Sequence, residues 1–276
     1  MRAALALLLC LASAARAADA SRYAWKEEWP RFRPSEYAVT GLALAGAAAD
    51  YFLVPPPRAA VWKGDVFFDK DARRVLLIGS EAGRDRVKTA ADLLTIPLMG
   101  YALLDGPITA WAGGGKDAAL QLALINAETM AVVEVVNLAV TNALPRSRPE
   151  GTVCDPGSQY DPACVRSFWS GHTANVFAAA ALICVEHDAM DLYGGGKADA
   201  AACGSALVVA SAVGVSRVTS NNHHASDVVV GAAFGAAAGW MIPNLLHFKR
   251  KKTSKLGWLI PSAGPRGGGL TYVKAW

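Results

Sequence analysis

The residues best suited to chemistry lie in one stretch, Ser216 to Asp227, set between two long Ala/Val/Gly-rich runs. Asp227 follows His223 by four residues, so on a helix beginning near Ser226 the two side chains share one face near its start. A carboxylate that accepts the proton of one imidazole nitrogen leaves the other nitrogen more basic. His223 is then a candidate nucleophile or base, with Arg217 a fixed cation beside it. The alternative is a polar loop whose histidines merely solvate a helix end.

Two further polar blocks interrupt the apolar pattern: Pro145-Arg146-Ser147-Arg148-Pro149 and Ser167-Phe168-Trp169-Ser170-Gly171-His172. If the flanking helices form antiparallel hairpins, all these helix ends meet on one side of a bundle. Such a pocket suits a phosphate group. Guanidinium forks bind its oxygens, and a glycine beside a helix start lets backbone N–H groups approach. His223 would attack phosphorus, Asp227 would stabilise the imidazolium, and His172 would protonate the leaving oxygen and later activate water. The arginines supply the charge stabilisation, so no metal or other cofactor is expected.

The elements that must position these groups are helical. Tyr37–Val54 reads as a first apolar helix ended by Pro55-Pro56-Pro57, and Trp62–Lys88 as an amphipathic surface helix. Asp65 and Asp69 there are read as a solvated face in preference to a metal pair. Further helices are expected over Ala90–Leu104, stopped by Asp105-Gly106-Pro107, then Asp117–Leu144, His172–Val185, Ala200–Val215 and Asp227–Leu246, with a short strand at Leu270–Lys274. Hydrophobic residues make up 53% and charged residues 18% of the 276, which suits membrane contact. A net charge of +4, clustered only near Lys249 to Lys255, gives no case for nucleic acid.

The three blocks resemble the signature of the type 2 phosphatidic acid phosphatase superfamily, which includes class A acid phosphatases and vanadium haloperoxidases. Arg148-Pro149, Ser170-Gly171-His172, and Ser216-Arg217, His223, Asp227 keep the family's order, and the last block its spacing. The resemblance covers roughly Asp117 to Leu246. It implies an all-α fold, a bundle of about six core helices. It also implies that Arg148, Ser170, Gly171 and Arg217 bind phosphate, that His172 is the general acid, and that His223 with Asp227 is the nucleophile pair. Thr141 stands where the family has lysine, and Trp169 where it has proline. Arg146 is the expected substitute for the missing cation.

Domain organisation is read as a signal peptide over 1–17, an exposed lead-in over 18–36, the helical phosphatase domain over 37–248 and a basic, Gly/Pro-rich tail over 249–276. Beyond the signal, Cys154 and Cys164 bracket a Gly/Pro/Asp-rich loop and form the expected disulfide, with Cys184 and Cys203 a second candidate pair. Lys249-Arg250-Lys251-Lys252 after the last helix points that end to the cytoplasm and the pocket to the periplasm of a bacterial-type envelope. The expected substrate is a lipid phosphate or pyrophosphate, hydrolysed through a phosphohistidine. The alternatives are a soluble periplasmic acid phosphatase acting on small phosphate esters, a vanadium haloperoxidase, and a non-catalytic phosphate-binding protein.

Overall fold

Alanine and glycine dominate the apolar runs, and their small side chains let helices approach to backbone contact. In the computed structural model, which describes residues 22–149, 162–248, 257–264 and 267–274, the helices are α1 (Pro34–Leu53), α2 (Asp69–Leu76), α3 (Glu81–Ala112), α4 (Lys116–Ala143), α5 (Gly171–Met190), α6 (Lys197–Thr219) and α7 (Ala225–Leu246). A 3-10 turn at Pro162–Val165 precedes α5. An antiparallel hairpin, β1 (Gly257–Gly264) with β2 (Gly267–Lys274), follows α7, in the register Gly257 opposite Lys274.

The central helix is α5, which packs against α3, α4, α6 and α7. Its contact with α7 depends on Gly231, Gly235 and Gly239, one turn apart. A Cβ at these positions would lie 2.7 Å from the Ser170 carbonyl oxygen, 2.0 Å from that of Ala174 and 2.4 Å from that of Ala178. The two helices therefore run in the same direction in backbone contact, with both N-termini at one end. The Cys184–Cys203 disulfide, Cα–Cα 4.4 Å, ties α5 to α6.

Four sequence expectations change. The Trp62–Lys88 stretch is not one helix but a non-helical start, α2 and the first turns of α3. Asp105-Gly106-Pro107 does not stop a helix: α3 starts behind Ser80, whose Oγ accepts from Gly83 N, and continues through Pro97 and Pro107 to the Gly113–Gly115 triplet. Contacts made by the two residues before the proline hold the helix together there. Asp105 is bonded to His187 and Tyr193, and Gly106 abuts Glu186 so closely that a Cβ would fall 2.3 Å from its Oε2. α5 likewise runs beyond Val185 to Met190, and His187 in that stretch is paired: Nδ1 lies 2.6 Å from Asp199 and Nε2 3.0 Å from Asp105. The described part of the lead-in, from Arg22, is exposed at most of its charged residues but not at its aromatic ones. Tyr23, Trp25, Trp29 and Phe32 are buried against Phe248, Leu192 and Val185, at the end of the bundle where α7 finishes.

Four helices, α3, α4, α6 and α7, are long and apolar enough to cross a membrane. Their outward faces, and that of α1, expose large apolar residues such as Leu42, Phe52, Ile96, Ile108, Val208 and Leu245. Those features support a membrane-integral protein over the soluble alternative.

Candidate active site

Extended segments lace together above the ends of α4 to α7. Val61 N donates to the Pro145 carbonyl, Ser147 N to that of Trp62, Ser167 N to that of Arg146, and Arg148 N to that of Cys164. Cys164 is disulfide-bonded. Cys154, its expected partner, lies outside the described residues.

Arg146 is fully buried in this weave. Its Nη1 donates to Asp227 Oδ1 at 2.5 Å and to Ser226 Oγ at 2.8 Å, and its Nη2 to Asp69 Oδ2 and the Gly64 carbonyl, both at 2.8 Å. The guanidinium also lies over the Trp62 ring, 4.2 Å from its centroid. Both terminal nitrogens are committed to protein acceptors, so the expectation that Arg146 replaces the missing lysine is corrected: it is a clamp beneath the pocket. Asp69, read from sequence as solvated, is 1% exposed. It also accepts from Ser226 N at 2.7 Å, closing the start of α7. Burial works against the Asp69 carboxylate, but bonds from Val66 N, Arg146 and Ser226 hold its pKa below the ordinary value.

His223 is buried, and its Nδ1 is 2.8 Å from the Ser167 carbonyl oxygen. Only an N–H can donate there, so Nε2 carries the lone pair. The expected bond to Asp227 is not made, since Nδ1 to Oδ2 is 4.0 Å. The physical reason is local. His224 is the N-cap of α7 and Asp227 the third residue inside it, so His223 precedes the helix and helical i,i+4 geometry does not apply. Asp227 instead accepts from Ser167 Oγ at 2.6 Å, from His224 N at 3.0 Å and from Arg146. Ser167 thus links the two, its hydroxyl on Asp227 and its carbonyl on His223.

The tandem His224 is engaged elsewhere: its Nδ1 lies 3.0 Å from Asp65 and its Nε2 3.1 Å from the Ser147 carbonyl oxygen. That leaves His223 as the histidine of this pair whose second ring nitrogen is available.

His172, the second residue of α5, is half exposed, with Nε2 3.1 Å from Asp92 Oδ1. The same oxygen accepts from Arg217 Nη2 at 2.5 Å. Desolvation, with the Arg217 and Arg148 charges, pushes His172 down to about 4, and Asp92 opposes them. Burial, then Arg148, with His172 and Arg217 adding, holds His223 well below its ordinary value. These shared influences place His172, His223, Arg148 and Arg217 within electrostatic reach of one another. Arg148 Nη1 donates to Asn222 Oδ1 at 3.3 Å, and Arg73 Nε, from α2, to Asn221 Oδ1 at 2.7 Å.

Ser170 is buried. Its Oγ accepts from Thr173, and its N–H donates to the Asp227 carbonyl at 3.2 Å. Gly171 lies against Asn137, where a Cβ would come 2.6 Å from Nδ2, so a larger residue would have to displace that side chain of α4. Trp169 stacks on Phe234 of α7, ring centroids 4.5 Å apart, and anchors the loop to that helix. Thr141 turns its hydroxyl back to the Asn137 carbonyl and brings no cation. Sequence reasoning missed Asp92, Ser167, Asn222 and the structural part of Asp69. Asp92 had a readable signal, a lone carboxylate in an apolar helix.

Residues 118–251 match the PAP2 superfamily. The chain is 30% identical over 171 residues to a lipid A 1-phosphatase of Porphyromonas gingivalis, covering 62% of this chain and 33% of that protein. It therefore spans about a third of the length of that curated relative. A transmembrane PAP2 type phosphatidylglycerolphosphate phosphatase from Bacillus subtilis is 18% identical, with a TM-score of 0.45, over 75% of this chain and 93% of that one. The matched segment, residues 118–251, contains all three polar blocks, and over that segment the chain is similar to the PAP2 superfamily.

Proposed function

We propose that the chain is a phosphoric ester hydrolase that removes phosphate from a lipid phosphate monoester or pyrophosphate through a phosphohistidine. The observation that carries this reading is the His223 tautomer: Nδ1–H is held on the Ser167 carbonyl at 2.8 Å, which leaves the Nε2 lone pair for phosphorus. In the first step the Nε2–P bond forms, the bond from phosphorus to the leaving oxygen breaks, and protonated His172 gives that oxygen its proton. In the second, neutral His172 takes a proton from water, the water oxygen bonds to phosphorus, and the Nε2–P bond breaks. Arg148, Arg217, and the Ser170 and Gly171 end of α5 hold the phosphoryl oxygens. Asp227 offsets the positive charge on His223 through Ser167. Asp92 holds Arg217 and His172 until the phosphate displaces it. The domain that does this is the helical segment 37–248.

The apolar outer faces and the lipid phosphatase named among the relatives support a lipid as the substrate class. Phosphate release is to be compared for phosphatidic acid, a diacylglycerol pyrophosphate and an aryl phosphate, with acid-quenched labelling to trap the intermediate. Acid-labile label on wild type that is lost in His223→Ala supports the reading; turnover by His223→Ala, or halide oxidation with added vanadate, refutes it.

The membrane is the proposed partner and a bacterial-type envelope the proposed location. Lys249 to Lys252 would orient the far end of the bundle to the cytoplasm and the pocket to the periplasm. Because the lead-in packs on Phe248, residues 22–33 share the far end with α7's terminus. A leader cleaved after Ala17 on the outer side therefore competes with a periplasmic pocket. Labelling of cysteines introduced at Lys26 and Lys63 by an impermeant thiol reagent decides: the periplasmic assignment requires Lys63, beside the pocket, to react and Lys26 to be protected.

A further inference from the structure

The end of the bundle remote from the pocket holds a second cluster of ionisable side chains. α7 begins beside His223 and runs for 22 residues, which at 1.5 Å per residue puts His247 about 33 Å along the axis from the pocket. His247 is fully buried, and its Nδ1 lies 3.2 Å from the Pro30 carbonyl oxygen. That contact requires Nδ1–H and turns Nε2 to the opposite side of the ring.

Nε2 faces Glu36 Oε1 at 3.8 Å and Glu128 Oε2 at 3.9 Å, and the three atoms lie within 4.8 Å of one another. Both distances are too long for a hydrogen bond. Among the described residues, neither His247 Nε2 nor Glu128 Oε2 has a hydrogen-bond partner. Glu36 is pinned by Arg33, whose Nε and Nη2 donate to Oε1 at 3.0 and 2.5 Å and whose N donates to Oε2 at 2.5 Å. Arg33 pairs with Glu36, but Glu128 Oε2 and His247 Nε2, buried and facing the same space, keep no hydrogen-bond partner there, which is costly unless something bridges them. A proton on Nε2 brings one charge but no hydrogen bond at these separations. A divalent ion brings two charges and a bond to each of the three atoms.

We propose that Glu36, Glu128 and His247 bind a divalent transition-metal ion of the zinc class. The imidazole favours such an ion over magnesium or calcium, which prefer all-oxygen sites. Zinc–ligand bonds of about 2.1 Å set tetrahedral ligand atoms roughly 3.4 Å apart, so the His247–Glu36 and His247–Glu128 distances need to close by only a few tenths of an ångström. The surrounding bonds are those that orient metal ligands: a backbone carbonyl on the far imidazole nitrogen, and a donor on a ligating carboxylate. The Phe32 ring lies parallel to that of His247, 5.9 Å between centroids, and covers it. An ion here joins the start of α1, the interior of α4 and the end of α7, and so fastens the aromatic lead-in to the bundle. Its role is structural and separate from phosphate chemistry.

The test uses the full chain purified in detergent, stripped with a chelator and titrated with Zn²⁺ or Co²⁺, with readouts that do not involve turnover. One ion per chain, a rise in melting temperature on adding Zn²⁺, and Co²⁺ visible absorption are expected. All three are to be lost in His247→Ala and in Glu128→Gln, the latter nearly isosteric and so able to fold. The proposal is overturned if the stripped protein binds no ion and melts at the same temperature with and without Zn²⁺. It is equally overturned if binding persists in Glu128→Gln, which would put the metal elsewhere, for instance at Asp65, Asp69 and His224.

Discussion

Replacing Arg146 with alanine separates a structural arginine from a phosphate-binding one. The wild-type guanidinium is 0% exposed and bridges Asp69 and Asp227, themselves 0% exposed. Removing it leaves two carboxylates buried without their cation and withdraws donors from Ser226 Oγ and the Gly64 carbonyl. Breaking a buried pair from one side costs about 3–5 kcal/mol. At roughly 2–4 °C per kcal/mol for a chain of this size, the melting temperature should fall by about 6–20 °C. Arg148→Ala, at a half-buried position beside Asn222, should instead raise KM and lower kcat with a melting change under about 3 °C. The assay is thermal unfolding in detergent beside aryl phosphate kinetics on the same preparations. Neutralising the partners should recover part of the loss, so Arg146→Met with Asp69→Asn should melt above Arg146→Met alone. The reasoning fails if Arg146→Ala melts like wild type and changes only KM.

The pH profile and the helix contact supply two further predictions. His223 must be neutral to attack, and its pKa lies well below 6.5, so the acid limb of kcat/KM should fall well below that pH. His172 must be protonated and sits at about 4, so its alkaline limb in kcat/KM starts there, and a bound phosphate dianion should move the limb in kcat upward. Asp92→Asn removes a charge that raises His172 and should shift that limb to lower pH; equal limbs in kcat and kcat/KM, or a shift upward in the variant, count against the assignment. Gly235→Ala forces a Cβ to 2.0 Å from the Ala174 carbonyl oxygen, which cannot swing away, and should cost about 1–3 kcal/mol in unfolding measurements. Gly204→Ala, with nothing within 4 Å, should gain about 0.4–1 kcal/mol; a loss as large as at Gly235 would mean the α5–α7 contact is not what matters.

What the residues determined by themselves was the chemistry and its order along the chain. Arginine, serine-glycine-histidine and histidine-aspartate at helix boundaries specify an anion site, because charge, nucleophilicity and helix-start geometry are properties of types and spacing. The core helices were legible for the same reason, since apolar period and Gly/Pro punctuation are local. The assignments within the site were decided only by tertiary structure. Arg146 and Arg148 are two residues apart and chemically identical; one became a clamp because Asp69, 77 positions earlier, folds beneath it. Asp227 was expected to hold His223 directly, but His223 lies outside the helix, before its N-cap His224, and Ser167 stands between them. Pro107 did not end its helix, and α5 ran past Val185 to a His187 held by Asp105 and Asp199. The lead-in closed over the far end because its aromatics find Phe248, more than two hundred residues away. In each case the deciding partner is remote in sequence, and burial changes what a charge or an aromatic ring does: an arginine sealed among carboxylates no longer meets a substrate.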